Sequence, residues 1–285
     1  MLNRNQIVLT VALLLVTFPN TLRAQCSDAG VCVIGSGYSM TDYQVGANYV
    51  FGASGTPDDL TFHSLDLVGD IRVFQGSRIT VQLPWSSASG PLGEAGGVGD
   101  LVVLWDQEVG AMSGGLLDIQ IGGKFATGEV NSGNLPQAYQ PGLGTNDLLV
   151  GVSYETTPWL FALGYQLSRG RSDNMITRLK RGDDLLARVG YMTHISDVAV
   201  ALEVLAIKRL QESSVLDTTV AGGDSFIDVP DSDQFQVNLL AGASLPLSEQ
   251  LSVQSFVALP LVSRDVNIDG LKRSITISAG LEYSF

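Results

Sequence analysis

Ser274 to Phe285 reads SITISAGLEYSF, with an unbroken parity. The odd positions Ile275, Ile277, Ala279, Leu281, Tyr283 and Phe285 are apolar, and the even positions Ser274, Thr276, Ser278, Gly280, Glu282 and Ser284 are polar or glycine. Successive side chains of a strand point to opposite faces, so this stretch is a strand with one apolar and one wet face. The same alternation recurs upstream, and it predicts twelve strands near residues 40–52, 60–74, 78–85, 99–109, 115–126, 147–156, 159–168, 184–193, 197–210, 233–246, 250–262 and 274–285. The first sets Tyr43, Val45, Ala47, Tyr49 and Phe51 against Asp42, Gln44, Gly46 and Asn48. The tenth sets Phe235, Val237, Leu239 and Ala241 against Gln234, Gln236, Asn238 and Gly242. In the second, the parity slips at His63, where a bulge is expected.

The connections alternate in length. Gln75–Ser77, Gly110–Gly114, Thr157–Pro158, His194–Ser196 and Leu247–Glu249 are short, whereas Ser86–Val98, Thr127–Asn146, Arg169–Asp183 and Gln211–Ser232 are long. A soluble sandwich has no reason to sort loop lengths by side. Two aromatics on the apolar face of a last strand that ends in Phe285 also resemble the closing strand of a bacterial outer-membrane barrel, with its short periplasmic turns and long outer loops. That resemblance implies an all-β, membrane-spanning antiparallel barrel of about 12 strands. It also implies that Tyr283 and Phe285 carry the signal read by the barrel assembly machinery.

The rest of the chain fits that compartment. Met1 to Ala24 has Arg4 in a short charged start, an apolar run from Ile7 to Phe18 and a small residue at Ala24, the pattern of a cleaved signal peptide over residues 1–24. No run reaches the roughly 20 apolar residues that a spanning helix needs, so insertion is expected through strands. Removing Arg4 and Arg23 leaves 14 basic against 29 acidic residues, a net charge of −15. So acidic a chain excludes nucleic acid as a partner. The mean hydropathy of +0.22 arrives in short alternating segments, which suits a lipid-facing outside and a polar inside. Residues 25–39 form an expected periplasmic N-terminal segment ahead of a barrel over 40–285. Cys26 and Cys32 read as a small disulfide-closed loop in an oxidising compartment. A lipid-modified Cys26 is the alternative, although Gln25 stands where lipoprotein processing takes a small residue.

Three elements at predicted outer strand ends stand apart. They are Gly97, Val98, Gly99, Asp100 and Leu101, then Lys124, Phe125, Ala126, Thr127 and Gly128, then Leu143, Gly144 and Thr145 with Asp147 following. Together they resemble the outer-membrane family of transporters of the meta-pathway of phenol degradation, with Ala126 where that family has proline. The resemblance implies uptake of small, often aromatic or hydrophobic compounds. Read on their own, the glycines make tight strand starts, and Asp100 and Asp147 accept from neighbouring backbone N–H groups.

Inward parity gathers Asp66, Asp70, Arg72, Asp106, Asp118, Lys124, Arg188, Glu203 and Glu282. Such charges either line a selective constriction or pair into a plug that closes the lumen. Arg169, Arg171, Arg178, Lys180 and Arg181 fall in one outer loop, where cations match lipopolysaccharide phosphates. The loop with Glu212, Asp217, Asp224, Asp228 and Asp231 matches no calcium-ligand spacing. Some barrels of this size are phospholipases that use a His-x-Ser arrangement, and the chain has His194, Ile195 and Ser196. These lie at a predicted periplasmic turn, and His63 and Ser64 point to opposite faces, so the chain is not expected to be an enzyme. No cofactor or metal site is expected. The sequence therefore predicts an outer-membrane channel or facilitated transporter for small molecules. The alternative is a closed structural or surface-interaction barrel, plugged by its side chains and by residues 25–39.

Overall fold

A computed structural model describes residues 34–35 and 42–285, except 221, 223 and 224. The signal segment, Cys26 and Cys32 lie outside the described residues. Among the described residues fifteen strands follow one another: β1 (Tyr43–Ala53), β2 (Thr61–Phe74), β3 (Ser77–Gly90), β4 (Gly93–Val98), β5 (Leu101–Met112), β6 (Gly115–Phe125), β7 (Asn146–Thr156), β8 (Trp159–Arg169), β9 (Asp184–Ile195), β10 (Val198–Arg209), β11 (Ser214–Leu216), β12 (Phe226–Asp228), β13 (Phe235–Pro246), β14 (Leu251–Val262) and β15 (Ile275–Ser284). No helix among the described residues is long and apolar enough to cross a membrane.

Twelve of these strands close an antiparallel barrel. β1 pairs on one side with β2 and on the other with β15, from Gln44 opposite Ser284 to Ala53 opposite Ile275, so the first and last strands meet and no barrel edge is left unpaired. β4 and β5 share one partner: β3 pairs with β5 over Ser77–Gln82 and with β4 over Trp85–Gly90. They act as one barrel position, interrupted at Gly99–Asp100. β11 and β12 form a separate hairpin in an outer loop.

Parity sets the two faces. Val45, Leu67, Leu163, Leu202 and Leu281 are about half exposed on the outside, while Gln44, Asp66, Gln120, Glu203 and Ser278 are buried within. An apolar belt of this size around a protein has no stable contact with water, and it matches a lipid annulus.

All twelve predicted strands are present, with three corrections. There is no bulge at His63: β1 and β2 pair continuously from Ala53 opposite Thr61 to Tyr43 opposite Ile71, and the irregularity lies at Arg72/Phe74. His63 is outward, its Nδ1 2.6 Å from the Tyr49 hydroxyl and its ring 5.4 Å from that of Phe51. The polar residue thus sits among belt aromatics and Phe62 turns inward, which mimics a slip. The predicted loop Ser86–Val98 is mostly strand, since β3 continues to Gly90 and β4 follows. β4 carries Gly93, Gly96 and Gly97 and does not show an apolar alternation. The predicted loop Gln211–Ser232 holds the β11–β12 hairpin.

Candidate lumenal site

Three layers of inward side chains line the barrel, from the long-loop end to the short-turn end. At the mouth, strands β6, β7, β9 and β10 and two loops deliver a buried ionic network. Lys124 Nζ lies 2.7 Å from Asp147 Oδ2, with both side chains at or below 1% exposure. Gln166 donates to the same carboxylate at 2.5 Å, and Arg181 lies 3.8 Å from it. Arg181 also reaches Asp184 at 2.7 Å and Asp269 at 3.6 Å. Arg209 bridges Asp184 at 3.1 Å and Asp269 at 2.8 Å, and Arg264 lies 3.7 Å from Asp269. Burial disfavours the Asp269 anion, but Arg209, Arg264 and Arg181 outweigh it and hold this carboxyl well below the usual range. Buried charges persist only when paired, and here the pairing welds loops 170–183 and 263–274 to the barrel wall.

The motif residues around Asp100 fasten a second loop. Asp100, 3% exposed, accepts from the backbone N–H groups of Gly128 (3.1 Å), Leu143 (2.7 Å) and Gly144 (3.3 Å). Leu101 N donates to Thr127 Oγ1 at 2.9 Å. A Cβ on Gly128 would stand 2.7 Å from the Gly99 carbonyl carbon, so this loop approaches too closely for a side chain. Asp100 thus accepts backbone N–H groups, while Asp147 is ion-paired instead. Replacing Asp100 with Ala leaves three amides without their acceptor, at about 1–3 kcal/mol for a buried polar group. Limited proteolysis is expected to cut the loop over residues 126–145 faster in that variant while the barrel stays folded; equal cleavage rates would show that other contacts pin the loop.

Below the mouth lies an apolar waist. Val102, Leu104, Leu149, Leu186, Leu205, Ile207, Leu240, Phe256 and Ala258 face inward and form one buried cluster, with Ile34 seated in it at 0% exposure. Gly35 N donates to Gln120 Oε1 at 2.8 Å, and Arg188 Nη1 donates to Gly35 O at 3.3 Å. A Cβ on Gly35 would lie 2.4 Å from Ala162 Cβ. Sequence reasoning missed this layer, although its signal was present. In Leu101–Trp105, Leu148–Val150, Leu185–Leu186 and Val204–Ile207 the apolar residues run on through inward positions rather than alternating.

The lower lumen holds most of the remaining candidates. Asp66 accepts from Ser64, Asp70 from Thr80 Oγ1 at 2.5 Å, Asp106 from Gln120, and Glu282 from Gln254 at 2.8 Å. Arg72 pairs with Asp42 at 2.7 Å near the rim. Glu203 lies 3.7 Å from Arg188 at mid-height. Asp118 is 6% exposed.

The basic loop divides. Arg169 and Lys180 are exposed, and Arg171 stacks on Phe226 with 3.6 Å to the ring centroid and donates to Ser214. Arg178 is half-buried, and Arg181 turns inward into the mouth network, away from any lipid headgroup. At the other end Tyr283 and Phe285 pack edge to face at 4.9 Å, and Phe285 N donates to Tyr43 O.

A closed twelve-stranded barrel with an apolar outer belt, and with polar and ion-paired layers on either side of an apolar waist within, defines a bacterial outer-membrane protein. The chain is similar to the COG4313 outer membrane channel from Pseudomonas putida F1, with a TM-score of 0.66 and 15% identity over 87% of this chain and 97% of that one. It also matches the KdgM porin (TM-score 0.48, 12% identity, 85% and 99% covered). No family model and no curated protein matches the chain. The matches include outer membrane phospholipase A from Escherichia coli (TM-score 0.44, 12% identity, 87% and 99% covered). The expectation that the chain is not an enzyme is therefore withdrawn, because an enzyme is found among barrels of this kind.

Proposed function

We propose that this barrel is a channel or facilitated transporter for small apolar molecules, aromatic compounds among them. The observation that carries this reading is the apolar waist: Leu104, Leu149, Leu186, Leu205, Ile207, Leu240 and Phe256 face the lumen, where a route for hydrophilic solutes would place polar groups. The resemblance of the elements around Asp100, Thr127 and Gly144 to those of the phenol meta-pathway transporters supports the same substrate class. Exposed Arg169 and Lys180 serve as lipopolysaccharide contacts in this reading, and Phe285 as the signal for the assembly machinery. Residues 1–24 are removed on export, and 25–39 remain as the mature N-terminal segment, which includes Ile34. The test is uptake of an apolar fluorescent naphthylamine by intact Gram-negative cells, whose lipopolysaccharide layer slows its entry. Cells making the barrel should take it up faster than control cells; equal rates would overturn the proposal.

Ile34 supports a second reading, a barrel closed by its own chain. With Ile34 filling the waist and Gly35 held by Gln120 and Arg188, a resting barrel would pass little ion current. Purified protein in planar bilayers separates the two: discrete conductance steps favour the open route, and a silent membrane favours closure.

A further inference from the structure

The inner wall of β5, β6 and β7 near the short turns carries four carboxylates on adjacent strands, all at inward parity. Asp118 stands directly opposite Glu108 on β5 and Ser153 on β7, while Asp106 and Glu155 each lie two residues away along the partner strands. Directly opposed residues of an antiparallel pair hold their Cβ atoms about 4.5–5.5 Å apart, so Asp118 and Glu108 are immediate neighbours of like charge. The charged groups around Asp118 are Asp106, Glu108 and Glu155, with Arg78 as the basic one. The nearby amide is already engaged, since Gln120 donates to Asp106 and accepts from Gly35.

Asp118 is 6% exposed and points into this cluster, yet its Oδ1 has no hydrogen-bond partner among the described residues. A buried carboxylate facing three others has lost its water and gained repulsion, and both penalties call for positive charge at that spot. The polar atoms offered are oxygens from Asp118, Glu108, Glu155 and Ser153, the donor type of hard cations. No group of three described carboxylates converges to ligate a metal directly, so the cation would keep part of its water shell, as magnesium commonly does.

We propose that this wall is a binding site for a hydrated divalent cation, held by Asp118 and Glu108 with Glu155 beside them, at the short-turn end of the lumen. The site needs only the barrel, so it stands or falls separately from the transport reading. The experiment follows the thermal loss of the compact, fast-migrating form of purified full-length protein in detergent, with magnesium chloride titrated against sodium chloride of matched ionic strength. Magnesium should raise the wild-type midpoint beyond sodium. Asp118→Asn should raise the metal-free midpoint by removing repulsion, and should remove most of the magnesium response. Glu108→Gln should do the same in part, which keeps the test decisive if one variant folds poorly. Glu249→Gln, at the exposed turn, should leave the magnesium response unchanged. A magnesium response equal in wild type and both lumenal variants, or absent from the wild type, would overturn the site.

Discussion

Lys124→Glu is expected to lower the unfolding free energy of the barrel by about 3–5 kcal/mol, the usual cost of a buried charge that loses its partner. Lys124 Nζ is 2.7 Å from Asp147 with both side chains out of water, so the substitution sets two carboxylates face to face beside Leu149. Asp118, the other charged residue at inward parity on β6, lies six residues down the same strand, in the lower lumen, and does not face Lys124. Lys124→Met is the matched control. It leaves Asp147 with Gln166 and Arg181, so its loss should be smaller. Urea unfolding in detergent measures both. If the lumen also conducts, the Glu variant should shift ion selectivity toward cations. A variant with wild-type stability and unaltered selectivity would remove Lys124 from both accounts.

Asp269→Asn carries the second large effect, because one carboxylate serves Arg209, Arg264 and Arg181 together. Neutralising it should cost about 3 kcal/mol at neutral pH. The pH dependence has a definite sign. The folded carboxyl titrates below its unfolded value of about 3.9, so its contribution is fully present above that pH and is lost as pH falls through the lower, folded value. Wild type and variant should therefore differ by a constant amount from pH 7 down to about pH 4 and converge below it. A gap that persists unchanged into strong acid would mean that the residue acts through packing alone.

Alternation on β1 and β15 was enough to place the barrel wall, because lipid on one side and water or polar groups on the other impose a period of two. The outer loops follow no such rule. β4 sits above the belt, where nothing requires an apolar face, so GEAGGV gives no strand signal. Charges at inward parity on β6 and β9 were legible, but the partners of Lys124 and Arg181 were not, since pairing depends on which loops fold back over the mouth. Asp269 illustrates the difficulty: on a loop between β14 and β15 with no pattern around it, it becomes the centre of the network. The apolar waist was concealed by its own continuity, because a run such as Val204–Ile207 reads as a strong strand without revealing that both faces are apolar.

The role of that waist is tested by placing a charge within it. Leu205 is inward and fully buried in the cluster, and Leu205→Arg should keep an apolar solute from passing while sparing the outer face. The measurement is the rate at which intact cells take up the naphthylamine probe, compared between wild type and variant at equal amounts of heat-modifiable protein in the outer membrane. The account predicts fast uptake with the wild type and a fall to the control rate with Leu205→Arg. Uptake that is equally fast through both proteins would contradict it.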